Sequence, residues 1–217
     1  MPRYPYVLFD LDGTLADTGD GVMNCAKYAC VTLGYSAPPP SDLRKMIGPS
    51  LKVGFPKFLG VKEEDVLPAI KLFRERYAGV GLTETVIYPG IADLLFDLKA
   101  AGCRLFVATC KPTVYSETIL QNLGIADCFE LVVGSNLDNT RTEKPEVLDY
   151  LCKTAGIAPQ DCVMIGDRFS DIRGANAFSM DSIGVTFGYG SREELEAEGA
   201  TFLADSPADV KKIVLKN

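Results

Sequence analysis

The sequence predicts an α/β fold: a parallel sheet core flanked by helices, interrupted once by an inserted α-helical cap subdomain. Three observations predict it. Short, near-continuous apolar runs alternate with amphipathic stretches, as in a sheet covered on both faces. Most of the amphipathic stretches end in Gly and two begin with Pro, the common punctuation of helix ends. Residues 11–103 separate the first apolar run from the next, far more chain than one crossover helix needs.

In chain order, YVLFD (6–10) reads as a strand that stops on an acid. Residues 18–34 and 62–79 look helical and SDLRKMIG (41–48) reads as a further helix, with APPPSD as punctuation and TVIYPG as the closing turn. Residues 17–86 are therefore expected to form the cap, and residues 1–16 and 87–217 the core, with hinges near 14–20 and 84–90. The core continues with a helix over 91–102, a strand over 104–109, a helix over 112–124, a strand over 131–135, a helix over 145–156, a strand over 162–167, a helix over 170–178, and strands over 182–188 and 201–206. This β-α-β order predicts a Rossmann-like parallel sheet with its sites at the carboxyl ends of the strands.

Composition narrows the chemistry. Among the 217 residues, 47% are apolar and 24% charged, an ordinary globular balance. A net charge of −7 and the absence of a basic stripe argue against a nucleic-acid polymer as partner. No apolar run reaches the roughly 18 residues of a membrane span, and Asp10 and Asp12 interrupt the only N-terminal apolar run, which argues against a secretory signal. Seven Cys without a CxxC pair fit a reducing, cytoplasmic setting. The chain contains no His, so Ser-His-Asp and Cys-His arrangements are excluded and zinc lacks a ligand set. A monomer or homodimer is expected.

Four stretches carry candidate chemistry. In DLDGT, Asp10 and Asp12 lie two apart, a spacing that places both on one strand face. Two such carboxylates repel unless a cation joins them, and the oxygen-rich setting suits Mg²⁺. Taken alone, Asp-Gly is also a common turn. In VMIGDRFSD, Asp167 ends an apolar run and Asp171 follows four residues later. Ser170 as a helix cap with Asp171 at the positive end explains the second acid equally well, but not the first. In VATCKP, Thr109 precedes a helix start, where free backbone N–H groups make an anion site; a simple cap is the alternative. In TEKPEVL, Lys144 lies at a positive helix end, where a cation is unfavourable by about 0.3–1 kcal/mol; a solvated surface Lys is the alternative. Together Asp10 and Asp12 with a third acid describe a cation site, and the Thr, the amides and the Lys an anion site. Phosphate is the most economical ligand for both.

These four stretches, DLDGTLADT, ATCKP, EKP and GDRFSD, resemble the ordered motifs of the haloacid dehalogenase-like superfamily, and the insertion resembles its helical cap. The resemblance implies a phosphatase of a small phosphorylated metabolite. Asp10 is implied as nucleophile and Asp12 as general acid and base, its main-chain carbonyl also touching the metal. Asp167 is implied as an Mg²⁺ ligand, with Asp171 supporting the metal directly or through water. Thr109, the backbone at Cys110, and Lys144 are implied as phosphoryl ligands. The superfamily commonly has Asn where this chain has Cys110. That thiol, at a positive helix end, is a candidate for a lowered pKa, with inert packing as the alternative. VIYPG resembles phosphoglycolate phosphatase-like members, whereas GSNLDNTRTEKPEVL resembles a 5′-nucleotidase-like branch. In the cap, Arg44, Lys45, Ile47 and Gly48 of LRKMIGPSL are candidates for substrate selection; solvation of a helix face explains the two basic residues equally. A phosphomutase would need the same Asp10 and Asp12, and a non-catalytic phospho-acceptor signalling module would use a similar pocket but without the cap.

Overall fold

The computed structural model describes residues 2–48, 50–138 and 140–216. In chain order the elements are β1 (Tyr6–Phe9), β2 (Ala16–Asp17), α1 (Gly19–Thr32), α2 (Pro40–Leu43), α3 (Leu51–Leu59), α4 (Val66–Gly79), β3 (Val86–Ile87), α5 (Ile91–Ala100), β4 (Arg104–Pro112), α6 (Thr113–Asn122), β5 (Leu131–Ser135), α7 (Lys144–Ala155), β6 (Cys162–Gly166), α8 (Phe169–Asn176), β7 (Asp181–Val185), α9 (Arg192–Ala197), β8 (Phe202–Ala204) and α10 (Pro207–Leu215). They divide into two compact units, Met1–Asp17 with Ile87–Asn217, and Thr18–Val86.

The first unit is an α/β fold on a six-stranded sheet of order β5-β4-β1-β6-β7-β8, parallel at every pairing. Leu8 lies in register with Phe106 on one side and Met164 on the other. With Val133 they share a buried cluster with Val147, Leu148 and Leu151 of α7 and Ala175 of α8. Val7, Phe9, Val107, Val163 and Ile165 are buried too and, at alternate positions, belong to the opposite face. Burial of both faces is why these strands read as unbroken apolar runs. The chain runs from β1 outward to β4 and β5, then returns to β6 and continues outward to β8. The direction reverses at β1, and a crevice at the carboxyl ends of β1, β4 and β6 follows from that reversal.

The second unit is helical. In it Phe73 stacks on Tyr77 at 5.5 Å and meets Phe55 edge-on at 6.3 Å. Arg76 grips both carboxylate oxygens of Glu84 at 2.9 and 2.8 Å.

Several elements differ from the sequence reading. The helix expected over 41–48 is the single turn α2 followed by a 3₁₀ turn at Arg44–Met46, because the chain turns away at Ile47, whose backbone is extended. Three helices, α3, α9 and α10, were not anticipated. The strand expected to reach residue 188 ends at Val185. Its continuation leaves the sheet, and a Cβ on Gly188 would lie 2.5 Å from Asp167 Oδ2, so that stretch packs as a loop on the carboxyl end of β6. Ser170 does not cap α8; the cap position is Arg168, whose N–H donates to Asp171 Oδ2 at 3.1 Å. No helix among the described residues is long and apolar enough to cross a membrane.

Candidate active site

The site is built where β1, β4 and β6 end. Asp10 follows β1 directly, its N–H donating to the Ile165 carbonyl of β6 at 2.9 Å. Its Oδ1 accepts from the Leu11 N–H at 2.8 Å, and the Thr109 hydroxyl beside it favours the ionised carboxylate. Asp167 follows β6; its Oδ2 accepts from the Tyr189 N–H at 2.7 Å and its Oδ1 from Thr14 Oγ1 at 3.3 Å. Asp171 sits in the first turn of α8 and is fully buried. One oxygen from each of Asp10, Asp167 and Asp171 lies within 4.8 Å of the others.

Lys144 enters this cluster from the start of α7. Its side chain is 1% exposed and its Nζ lies 3.1 Å from Asp10 Oδ1 and 2.7 Å from Asp171 Oδ1, while donating to the Ala108 carbonyl at 2.7 Å. Gly174 of α8 lets it through, since a Cβ there would stand 2.6 Å from Lys144 Cγ. A capping box between Glu143 and Glu146 starts α7, with Pro145 in its first turn. The ammonium of Lys144 is thus carried by a helix start, whose dipole disfavours a cation. Burial alone would push Lys144 down, but Asp10 and Asp171 outweigh it and hold the ammonium above its ordinary value.

The carboxylates respond in the opposite sense. Burial, reinforced by Asp171 and Asp12 against the pull of Lys144 and Thr109, raises Asp10 to about 6. Burial, with Asp171 and Asp10 adding to it, raises Asp167 to about 8. Three crowded buried carboxylates share one ammonium, so negative charge is in excess. A divalent cation would reverse both shifts, and an all-oxygen donor set of this kind fits a hard cation. The residues present therefore fit a metal ion.

Asp12 stands apart from that group. Its side chain is 26% exposed and is gripped by Lys111, whose Nζ lies 2.9 Å from Oδ1 and 3.0 Å from Oδ2. The sequence reading did not single out Lys111, although it quoted the motif containing it; a Lys at a strand end gives no sign by itself of turning inward. Thr109 and Lys111 ride on a bulge of β4, where the register with β5 shifts between Ala108 and Pro112. Gly134 of β5 makes room for it, because a Cβ there would lie 2.1 Å from the Lys111 carbonyl oxygen.

Cys110 corrects an expectation. The residue is exposed, yet desolvation of its thiol, with Asp10, Asp171 and Glu143 adding to it and Lys144 opposing, pushes it up to about 12. The end of β4 therefore does not favour a thiolate at this position.

The cap candidates belong to the second unit. Arg44 and Lys45 are exposed on the 3₁₀ turn, and Lys45 pairs with Asp42 at 2.8 Å. Ile47 is buried, and Gly48 has φ +102°. Pro49, within the same quoted segment, lies outside the described residues, as does Asn139 in the 5′-nucleotidase-like stretch.

The chain is similar to several known proteins. A family model described as haloacid dehalogenase-like hydrolase matches residues 7–185. A 5′-nucleotidase of Pseudomonas aeruginosa is 37% identical over 212 residues, 98% of this chain and 96% of its own length. A phosphoglycolate phosphatase of Colwellia psychrerythraea is 31% identical over 208 residues, 92% of each chain. A Mycobacterium tuberculosis protein named tyrosine-protein kinase PtkA is 33% identical over 196 residues, 90% of this chain and 66% of its own. A solved structure described as a predicted phosphatase from Clostridium acetobutylicum superposes with a TM-score of 0.91 at 40% identity, covering 99% of both chains.

Proposed function

The chain belongs to the haloacid dehalogenase-like hydrolase family, and we propose that this phosphatase hydrolyses a small phosphorylated metabolite, phosphoglycolate or a nucleoside 5′-monophosphate, with Mg²⁺ and through a phosphorylated Asp10. The observation that carries the reading is the gathering of Asp10, Lys144, Asp167 and Asp171, from three separate parts of the chain, into one buried cluster.

Asp10, held by the Leu11 N–H, attacks phosphorus. The bond from phosphorus to the ester oxygen breaks, and the Asp12 carboxyl gives its proton to the departing oxygen. In the second half Asp12 takes a proton from water as the water oxygen attacks phosphorus, and the bond to Asp10 breaks to release inorganic phosphate. Lys144 lets an anionic substrate approach an anionic nucleophile. Asp10, Asp167, Asp171 and the Asp12 main-chain carbonyl would hold Mg²⁺, which would supply positive charge toward the phosphoryl oxygens.

The test is turnover of p-nitrophenyl phosphate followed by a screen of phosphorylated metabolites. Release of inorganic phosphate that stops in EDTA, returns with Mg²⁺ and vanishes in Asp10→Asn supports the reading. Full turnover in Asp10→Asn contradicts it. Rearrangement of a sugar phosphate without free phosphate assigns a phosphomutase instead, and transfer of phosphate to protein tyrosine follows the PtkA-named relative.

A further inference from the structure

We propose that Lys111 is a positioning residue for the reaction: by clamping both carboxylate oxygens of Asp12 it fixes where the acid/base group stands. The inference rests on the reading of this chain as a phosphatase that uses Asp12 for proton transfer.

Three observations lead to it. The Lys111 side chain is only 8% exposed, so its ammonium is withdrawn from water, and a withdrawn charge is tolerated when it is paired. Its Nζ reaches both oxygens, at 2.9 and 3.0 Å, which sets the distance of the Asp12 carboxylate and keeps its oxygens facing the ammonium. The segment carrying Lys111 is itself held. Its N–H donates to Thr109 Oγ1 at 3.2 Å, its carbonyl fills the space left by Gly134, and the Gly134 N–H donates to Thr113 Oγ1 at 2.9 Å just beyond. Thr109, two residues earlier, stands beside Asp10. One bulge therefore carries a neighbour of each carboxylate: Thr109 beside Asp10 and Lys111 on Asp12. An acid displaced by about 1 Å loses on the order of 10²-fold in rate, and the partly exposed Asp12 has room for such a displacement.

The step that depends on this placement is loss of the ester oxygen. The phosphorus–oxygen bond breaks, its electron pair goes to the oxygen, and the Asp12 proton goes to the same oxygen to give the alcohol. An alkoxide needs that proton; p-nitrophenolate leaves without it. The experiment compares kcat/KM for p-nitrophenyl phosphate with that for the alkyl monoester, phosphoglycolate or AMP, that the wild type turns over faster. Each enzyme sample is measured on both substrates, so the ratio is independent of the folded fraction.

Lys111→Met is expected to lower kcat/KM for the alkyl ester by about ten-fold or more beyond its effect on p-nitrophenyl phosphate, with Lys111→Arg restoring most of the difference. An equal loss on both substrates, a rise in KM alone, or an increase in rate overturns the proposal. Asp12→Asn separates the two levels of inference. If it loses the alkyl ester selectively while Lys111→Met does not, the acid role of Asp12 stands and the role of Lys111 falls. If the wild type turns over neither substrate, the phosphatase reading falls and the proposal with it.

Discussion

Lys144 shows how single residues are constrained at this site. It is a buried cation on the positive end of a helix, a position that opposes it, and it is retained by Asp10 and Asp171 at 3.1 and 2.7 Å. Replacing it with Met is expected to lower turnover by about 10²–10³-fold. Removing one partner of a buried ionic group costs about 3–5 kcal/mol, so urea denaturation should show a loss of that order in metal-free protein. Wild-type stability with lost activity would restrict Lys144 to a catalytic role. The carboxylates give a pH prediction. Asp10 is raised to about 6 and Asp167 to about 8 from the ordinary 3.8. Between about pH 4 and about 8 the folded metal-free protein therefore binds more protons than the unfolded chain, and its stability falls as pH rises. Lys144, held above its ordinary value, stays charged across that window. Mg²⁺ keeps the acids ionised and should flatten the slope; equal slopes in EDTA and in Mg²⁺ contradict this. Asp10, Asp167 and Lys144 were legible in the sequence because an acid ending an apolar run, or a Lys beside a helix-starting Pro, breaks a local rule. Lys111 breaks none, and its inward turn is visible only once Asp12 is placed against it.

At the scale of elements, the bulge of β4 decides where functional groups fall. Its room comes from a neighbouring strand, at Gly134. Gly134→Ala would place a Cβ 2.1 Å from the Lys111 carbonyl and is expected to shift Thr109 and Lys111 together, lowering kcat by about ten-fold or more. Full activity in that variant would show that the bulge is not needed. Strands were readable because burial on both faces leaves uninterrupted apolar runs. Helices without a full apolar stripe were not. Within α9 only Leu195 is buried, so six residues carry one inward position and no period. α3 holds Pro56 inside it, which reads as a break. α10 carried a signal that went unused: Ser206 accepts from the Asp209 N–H, with Pro207 following the cap, a helix start of the usual kind.

At the scale of the molecule, the parallel order β5-β4-β1-β6-β7-β8 brings together residues between 10 and 171 that sequence distance keeps apart. The strand order was not readable from the chain, since periodicity gives elements but not neighbours; the reversal at β1 is what makes four modest motifs one site. The chain also divides at Asp17/Thr18 and Val86/Ile87, within or beside the short strands β2 and β3, and each unit carries its own buried apolar residues. The account as a whole depends on Asp10 receiving the phosphoryl group. Acid-quenched enzyme taken during turnover of p-nitrophenyl phosphate with Mg²⁺, digested and read by mass spectrometry, tests that most directly. The account predicts a phosphoryl group on Asp10 that is absent in EDTA and absent in Asp10→Asn; a phosphoryl group on another residue, or undiminished turnover in Asp10→Asn, would contradict it.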